Sequence, residues 1–211
     1  RATGVEEPIY LLGPVLPKER ERVVAGAFRP VISTQEEAAA FESAASAAGL
    51  RLSVLWALDT GMGRIGTLPD EVSQFASAWS QWPHLHLDSI GSHFPSADED
   101  QAFTEQQSRK FHATVSDLQC SGLKPDWVQL SNSAGIMGYA TPPHELVRAG
   151  LMLYGVAPFP EMQAELTPVL TWKTSVTLVR KLPAQWGVNY GRTFVTTEPT
   201  WVATLAVGYA D

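Results

Sequence analysis

The chain is expected to fold as an α/β protein. Residues 1–165 would form part of a (β/α)8 TIM-type barrel, and residues 166–211 the start of an all-β C-terminal domain. Three observations lead there. Apolar runs alternate with helix-spaced patterns as far as Tyr154, as parallel strands joined by crossover helices do. Nearly every polar motif lies just after an apolar run, where a barrel gathers its ligand groups, as does a doubly wound sheet. Beyond Thr167 the helical spacing stops and strand-like alternation replaces it.

The elements follow in order. Pro8–Leu12 is a short strand, Pro17–Gly26 a charged helix, and Arg29–Ser33 the next strand. Thr34 with Glu37 three residues on has the spacing of a capping box, opening an alanine-rich helix that should end at Gly49. Leu52–Leu58 is almost unbroken apolar, as a strand buried on both faces should be. Asp70 opens a helix whose Val72, Phe75, Ala76 and Trp79 form one stripe. A strand over 86–91 precedes a long helix from near Asp100, with Phe111, Val115 and Leu118 on its buried face. Trp127–Leu130 and Glu145–Val147 are two more strands. About six strands are thus expected where a full barrel has eight. That shortfall, and a start at Arg1-Ala2-Thr3, lead us to expect a missing upstream segment. Ala157–Thr167 has the composition of a linker, Leu170–Val179 alternates, Gly187–Gly191 turns, and Trp201–Val207 is apolar again.

Composition narrows the function classes. Hydrophobic content of 45% and charged content of 18% suit a globular domain. A net charge of -7 argues against a nucleic-acid surface or a polybasic membrane anchor, and no apolar run approaches a membrane span. No metal-ligand spacing stands out. Cys120 is the only cysteine, which excludes an intrachain disulfide and favours a reducing cytoplasm. No GxGxxG follows the first strand, so dinucleotide binding is disfavoured.

Five motifs carry the chemistry, and each alone has an ordinary reading. Asp59-Thr60-Gly61-Met62-Gly63-Arg64 is a tight turn with an exposed arginine, or a loop whose glycines admit a ligand beside a permanently charged fork. His93 alone is more often a satisfied histidine than a catalytic one. Ser131-Asn132-Ser133 is a helix cap, or a set of donors for a phosphate at a helix N-terminus. Arg148, inside Leu146–Leu151, is costly to bury without an acceptor. Tyr209 is a core aromatic, or a reactive phenol.

Together and in this order, these motifs resemble the alanine racemases that use pyridoxal 5'-phosphate (PLP). The resemblance covers nearly the whole chain and is most specific at Asp59–Arg64 and Gly208-Tyr209-Ala210-Asp211. It implies a homodimer in which Tyr209 serves as a catalytic acid/base in the partner's active site. It also implies that Arg64 contacts the cofactor and holds the substrate carboxylate, that Arg148 faces the pyridine nitrogen, and that His93 bridges Arg148 and Tyr209 with Asn132 beside them. Ser133, Gly150 and Leu151 would contact the phosphate. The activity implied is interconversion of L- and D-alanine for peptidoglycan. Racemisation of serine or a broader set of amino acids, and a non-catalytic PLP-binding barrel, are the alternatives. Two departures stand out. Lys18, Lys110, Lys124, Lys173 and Lys181 all lie outside the barrel-strand position where the family holds its cofactor covalently, so the chain as given is expected to be inactive. Ala57 stands where many relatives carry a carbamylated lysine that orients the arginine, so Arg64 must be held by something else or less tightly.

Overall fold

The computed structural model describes residues 4–140 and 145–208. The chain divides into two compact units, Arg1–Thr167 and Pro168–Asp211.

The first unit contains five parallel strands: β1 (Tyr10–Leu11), β2 (Arg29–Ile32), β3 (Leu52–Ala57), β4 (Leu85–Gly91) and β5 (Trp127–Gln129). The helices are α1 (Arg20–Ala25), α2 (Gln35–Ala47), α3 (Val72–Ala78), α4 (Gln101–Cys120) and α5 (Ser133–Gly138). The sheet order is β1-β2-β3-β4-β5, every neighbouring pair parallel. A doubly wound sheet reverses direction at a switch point, and this one never does. Right-handed crossovers stepping one way place their helices on one face, which is the geometry of a barrel segment.

Side chains on the other face show that the sheet is curled. Tyr10 on β1 donates its hydroxyl to the Asp88 carboxylate on β4. Three strand spacings separate these strands, about 14 Å in a flat sheet, too far for the two side chains to meet. Arg29 completes the cluster, with Nη1 2.7 Å from Asp88 Oδ1 and 2.8 Å from the Tyr10 hydroxyl. A register shift sets Asp88 between the pairs Val54–Leu87 and Leu55–Ser89, an extra residue of the bulged kind.

Local sequence explains the helix starts. Thr34 Oγ1 accepts from Glu37 N at 3.2 Å, and the Glu37 carboxylate reaches back to Ser33 N at 2.7 Å. Asp100 caps α4 through Phe103 N at 2.9 Å. The convex face of the sheet meets the helices in one core. There Trp56 stacks on Phe75 with ring centroids 4.4 Å apart, a contact worth about 1 kcal/mol beyond its buried area. The concave face holds a smaller cluster of Val31, Leu55 and Ala57, flanked by Tyr10 and Ile65.

Three expectations are corrected. Glu145–Val147 is not a strand but two isolated bridges, Val128–Glu145 and Asn132–Arg148. Four residue steps on one side face three on the other, so the register slips. The Glu145 side chain takes the amides of Leu130 (2.9 Å) and Ser131 (2.6 Å) that a ladder would use. Residues 157–167 are not a free linker. Pro160–Glu165 forms a 3-10 turn, Phe159 packs on the core, and Gln163 bonds to Ala157 N and to the Gly155 carbonyl. Residues 170–175 lie outside any strand.

In the second unit β6 (Val176–Leu182) pairs antiparallel with β9 (Thr200–Leu205), and β7 (Gly187–Val188) with β8 (Phe194–Val195). The partner strand ends at Leu205 opposite Val176, which fixes where β6 begins. Leu182 is the one buried apolar side chain among this unit's described residues. No helix among the described residues is long and apolar enough to cross a membrane.

Candidate active site

The site lies at the carboxyl ends of β3, β4 and β5. After β3 the chain makes a closed loop, 59–66. Its base is stapled by Asp59 N to the Thr67 carbonyl (3.0 Å) and Thr67 N to the Ala57 carbonyl (2.9 Å). Gly66 N donates to Ser33 Oγ at 3.0 Å, and Thr67 Oγ1 accepts the buried indole N–H of Trp56 at 2.8 Å. The loop amides do not face a ligand. Gly61 N, Met62 N and Gly63 N all donate to the Asp59 carboxylate, at 2.8, 2.9 and 2.9 Å. The glycines therefore serve the turn, which is one of the two readings their spacing allows. Arg64 leaves the loop exposed, with no hydrogen-bond or ion-pair partner among the described residues.

Arg148 is held on three sides. Its Nη2 donates to the Ser92 carbonyl (2.5 Å), the Leu130 carbonyl (3.3 Å) and His93 Nδ1 (3.3 Å). Nε and Nη1 have no partner among the described residues, so donors remain for an acceptor in the site. Burial lowers the guanidinium from its ordinary value to about 10, with Glu145 opposing the drop and Arg64 adding to it. It is still a cation at neutral pH. His93 is pushed down to about 4, first by burial and then by Arg148 and Arg64. It is therefore neutral at pH 7, with Nδ1 accepting from Arg148 and the proton on Nε2.

Arg64, His93 and Arg148 line one concavity with Met62, Ser92 and the apolar Leu12, Val31, Leu55 and Ala57. Among the described residues its wall holds two guanidinium groups and no carboxylate. Ala57 contributes a methyl and nothing polar, so Arg64 is placed by its loop alone.

Beside this concavity, Asn132 caps α5 by accepting from Gly135 N at 2.9 Å, and its amide donates to the Phe94 carbonyl at 3.1 Å. Ser133 Oγ accepts from Gly150 N at 2.9 Å and from Met152 N at 3.4 Å. Gly150 caps the 3-10 turn Leu151–Tyr154, and the space where its Cβ would lie meets only Ser133 Oγ, at 3.9 Å. Leu151 is exposed. Tyr209 lies outside the described residues. All five lysines are exposed.

Sequence reasoning missed Ser92, whose carbonyl holds Arg148, and Glu145, whose carboxylate seats Leu130 and Ser131. No local pattern announces either, because the partners are 56 and 14–15 residues away.

A curled parallel sheet with an electropositive site at its carboxyl edge, joined to an antiparallel unit, defines a barrel protein of the two-domain kind. The sequence model of "Alanine racemase, N-terminal domain" matches residues 1–158, and that of "Alanine racemase, C-terminal domain" matches 169–211. The chain belongs to the alanine racemase family. An alanine racemase of Desulfovibrio desulfuricans is 35% identical over 214 residues, covering 100% of this chain and 58% of the relative. The crystal structure of a biosynthetic alanine racemase from Pseudomonas aeruginosa superposes with a TM-score of 0.79 at 29% identity, covering 100% of this chain and 58% of that one. That of alanine racemase from Bartonella henselae with covalently bound pyridoxal phosphate gives 0.78 at 24% identity, with the same coverage, and speaks to the fold alone. The chain thus spans a little over half the length of these relatives.

Proposed function

We propose that the chain is the greater part of a PLP-dependent alanine racemase, with 1–165 belonging to its cofactor-binding barrel and 166–211 beginning its β domain. The observation that carries the reading is the pair of guanidiniums, Arg64 and Arg148, lining one concavity with no carboxylate among its described lining residues. Such a wall suits a dianionic, carboxylate-bearing ligand pair, a phosphorylated cofactor and an amino acid.

The donor set fits PLP. Arg148 would meet the pyridine nitrogen through its free donors, the Ser133 hydroxyl and the Leu151 amide would contact the phosphate beside Gly150, with Asn132 capping the helix of Ser133, and Arg64 would hold the substrate carboxylate. When bound, PLP supplies an electron sink at the α-carbon. Arg148, which keeps its proton at neutral pH, would leave a pyridine nitrogen beside it unprotonated and so would hold back side reactions. His93 is neutral and its Nε2–H is free to donate, which suits a hydrogen bond to a tyrosinate. In this reading that tyrosinate is Tyr209 of the other subunit of a homodimer. A phenol of pKa near 10 becomes a usable base when a donor and a nearby cation favour its charged form. Two opposed acid/base groups are needed to invert an α-carbon, and Tyr209 would be one. The product D-alanine would serve peptidoglycan synthesis in the cytoplasm.

The test is racemisation by the whole protein loaded with PLP. Alanine should be preferred over serine by about tenfold or more in kcat/KM. Tyr209→Phe should lower the rate at least about 10²-fold. Retention of PLP with no racemisation of either amino acid would refute the enzyme in favour of a cofactor-binding barrel.

A further inference from the structure

One buried amide lies against the site with nothing yet assigned to it. Gln107 on α4 is 1% exposed, and its Oε1 has no hydrogen-bond partner among the described residues. Burying such a group unpaired is unfavourable, and its position in a native fold calls for a reason. Its Nε2 donates to Thr60 Oγ1 at 3.5 Å. Thr60 Oγ1 lies 2.8 Å from Ser92 Oγ. Thr60 Oγ1 thus accepts from Gln107 and shares a second hydrogen bond with Ser92, in which either hydroxyl can donate. The Ser92 carbonyl in turn accepts from Arg148 at 2.5 Å, and Ser92 N donates to the Gln129 carbonyl at 2.9 Å.

α4 also presses on the loop sterically. A Cβ on Gly61 would fall 2.7 Å from Phe103 Cζ and 3.0 Å from Gln107 Nε2. Helix and loop therefore meet without slack. The loop that carries Arg64 has no side-chain tie to the His93–Arg148 pair except through Thr60 and Ser92, among the described residues. With alanine at 57, no side chain of β3 tethers Arg64 either.

We infer that Gln107, Thr60 and Ser92 form a positioning relay that sets the separation between the Arg64 arm and the Arg148–His93 pair. Ser92 is the junction: its hydroxyl fixes the loop and its carbonyl fixes Arg148. The three are positioning residues: they act through the Arg64 loop and Arg148, and of them only Ser92 reaches the wall of the concavity. The consequence for substrate, which rests on the function proposed above, is that the relay governs how well the two guanidiniums are spaced for a carboxylate beside the cofactor.

Thr60→Val keeps the shape and removes the hydroxyl. Two measurements on the whole protein test it. The first is amide hydrogen exchange over 59–66, which requires no activity. Exchange should quicken roughly fivefold in Thr60→Val, the factor that loss of one net hydrogen bond gives, and Thr60→Ser should restore it. The second is KM for alanine, which should rise by a similar factor with a smaller change in kcat. Ser92→Ala should act through the same bond, so the Thr60→Val/Ser92→Ala double variant should be no worse than the more severe single variant. Gln107→Leu should reproduce the exchange effect in weaker form. Unchanged exchange in Thr60→Val, or additive effects in the double variant, would overturn the relay. If the wild-type protein shows no racemase activity while the exchange results hold, the relay stands and the proposed function fails.

Discussion

Gly66 is where the geometry of the site loop is most exposed to test. Its φ is +116°, and a Cβ there would fall 2.6 Å from Asp59 N and 2.7 Å from Leu58 C. Both are backbone atoms at the end of β3, so no side-chain rotation relieves the contact. The strand end or the loop must move, and the bonds at risk are Asp59 N to the Thr67 carbonyl and Gly66 N to Ser33 Oγ, each 3.0 Å. Strain at so sparsely populated a backbone conformation costs about 1–3 kcal/mol. Two hydrogen bonds add about 1 kcal/mol each. Gly66→Ala should thus destabilise the first unit by roughly 3–5 kcal/mol, a large share of the ~5–15 kcal/mol of a domain. Gly63→Ala is the control. Gly63 also has a positive φ, +66°, but a Cβ there meets nothing within 4 Å, so only the left-handed penalty of about 1–2 kcal/mol applies. Urea unfolding followed by far-ultraviolet circular dichroism isolates the first unit, because α1 to α5 all belong to it. At a slope of about 2 kcal/mol/M, the Gly66→Ala midpoint should lie roughly 0.5–2 M below that of Gly63→Ala. Equal midpoints for the two variants would refute the claim that backbone contact at the loop base, rather than φ alone, requires glycine.

Other outcomes follow from the charges. In NMR titrations His93 should stay neutral until about pH 4, and Arg148→Gln should raise its pKa while leaving it below 6.5, because burial is the larger cause. The sign for stability is fixed by the same shift: the folded pKa lies below the unfolded one. Stability is then fully present above about pH 6.5 and is lost as pH falls from there towards about 4; a His93→Phe variant should lack that contribution. Borohydride treatment of this chain with PLP, followed by peptide mapping, should yield no stoichiometric pyridoxyl-lysine, since all five lysines are exposed and none meets the concavity. A single fully labelled lysine, with racemisation, would overturn the placement of the covalent attachment outside these residues.

Much of this protein was legible from its sequence, because much of it depends on neighbours a few residues apart. The Thr34–Glu37 spacing predicted the start of α2, Asp100 that of α4, and the unbroken apolar run at 52–58 a strand buried on both sides. The site motifs follow strands, so Arg64, His93 and Arg148 could be placed at one edge of a sheet before their distances were known. Four features were decided only by tertiary structure. The strand order excluded a doubly wound sheet, because only pairing in space tells a sheet that never reverses from one that does. Glu145 became a side-chain clamp instead of a strand residue because its acceptors are the amides of Leu130 and Ser131, brought beside it by the fold. The loop amides turned inward to Asp59, which the glycine spacing did not reveal because it permits either direction. The neutrality of His93 arises from burial and from the charges of Arg148 and Arg64, which lie far from it along the chain. Solvation and electrostatics act through space, and a linear pattern records only which residues are available to them.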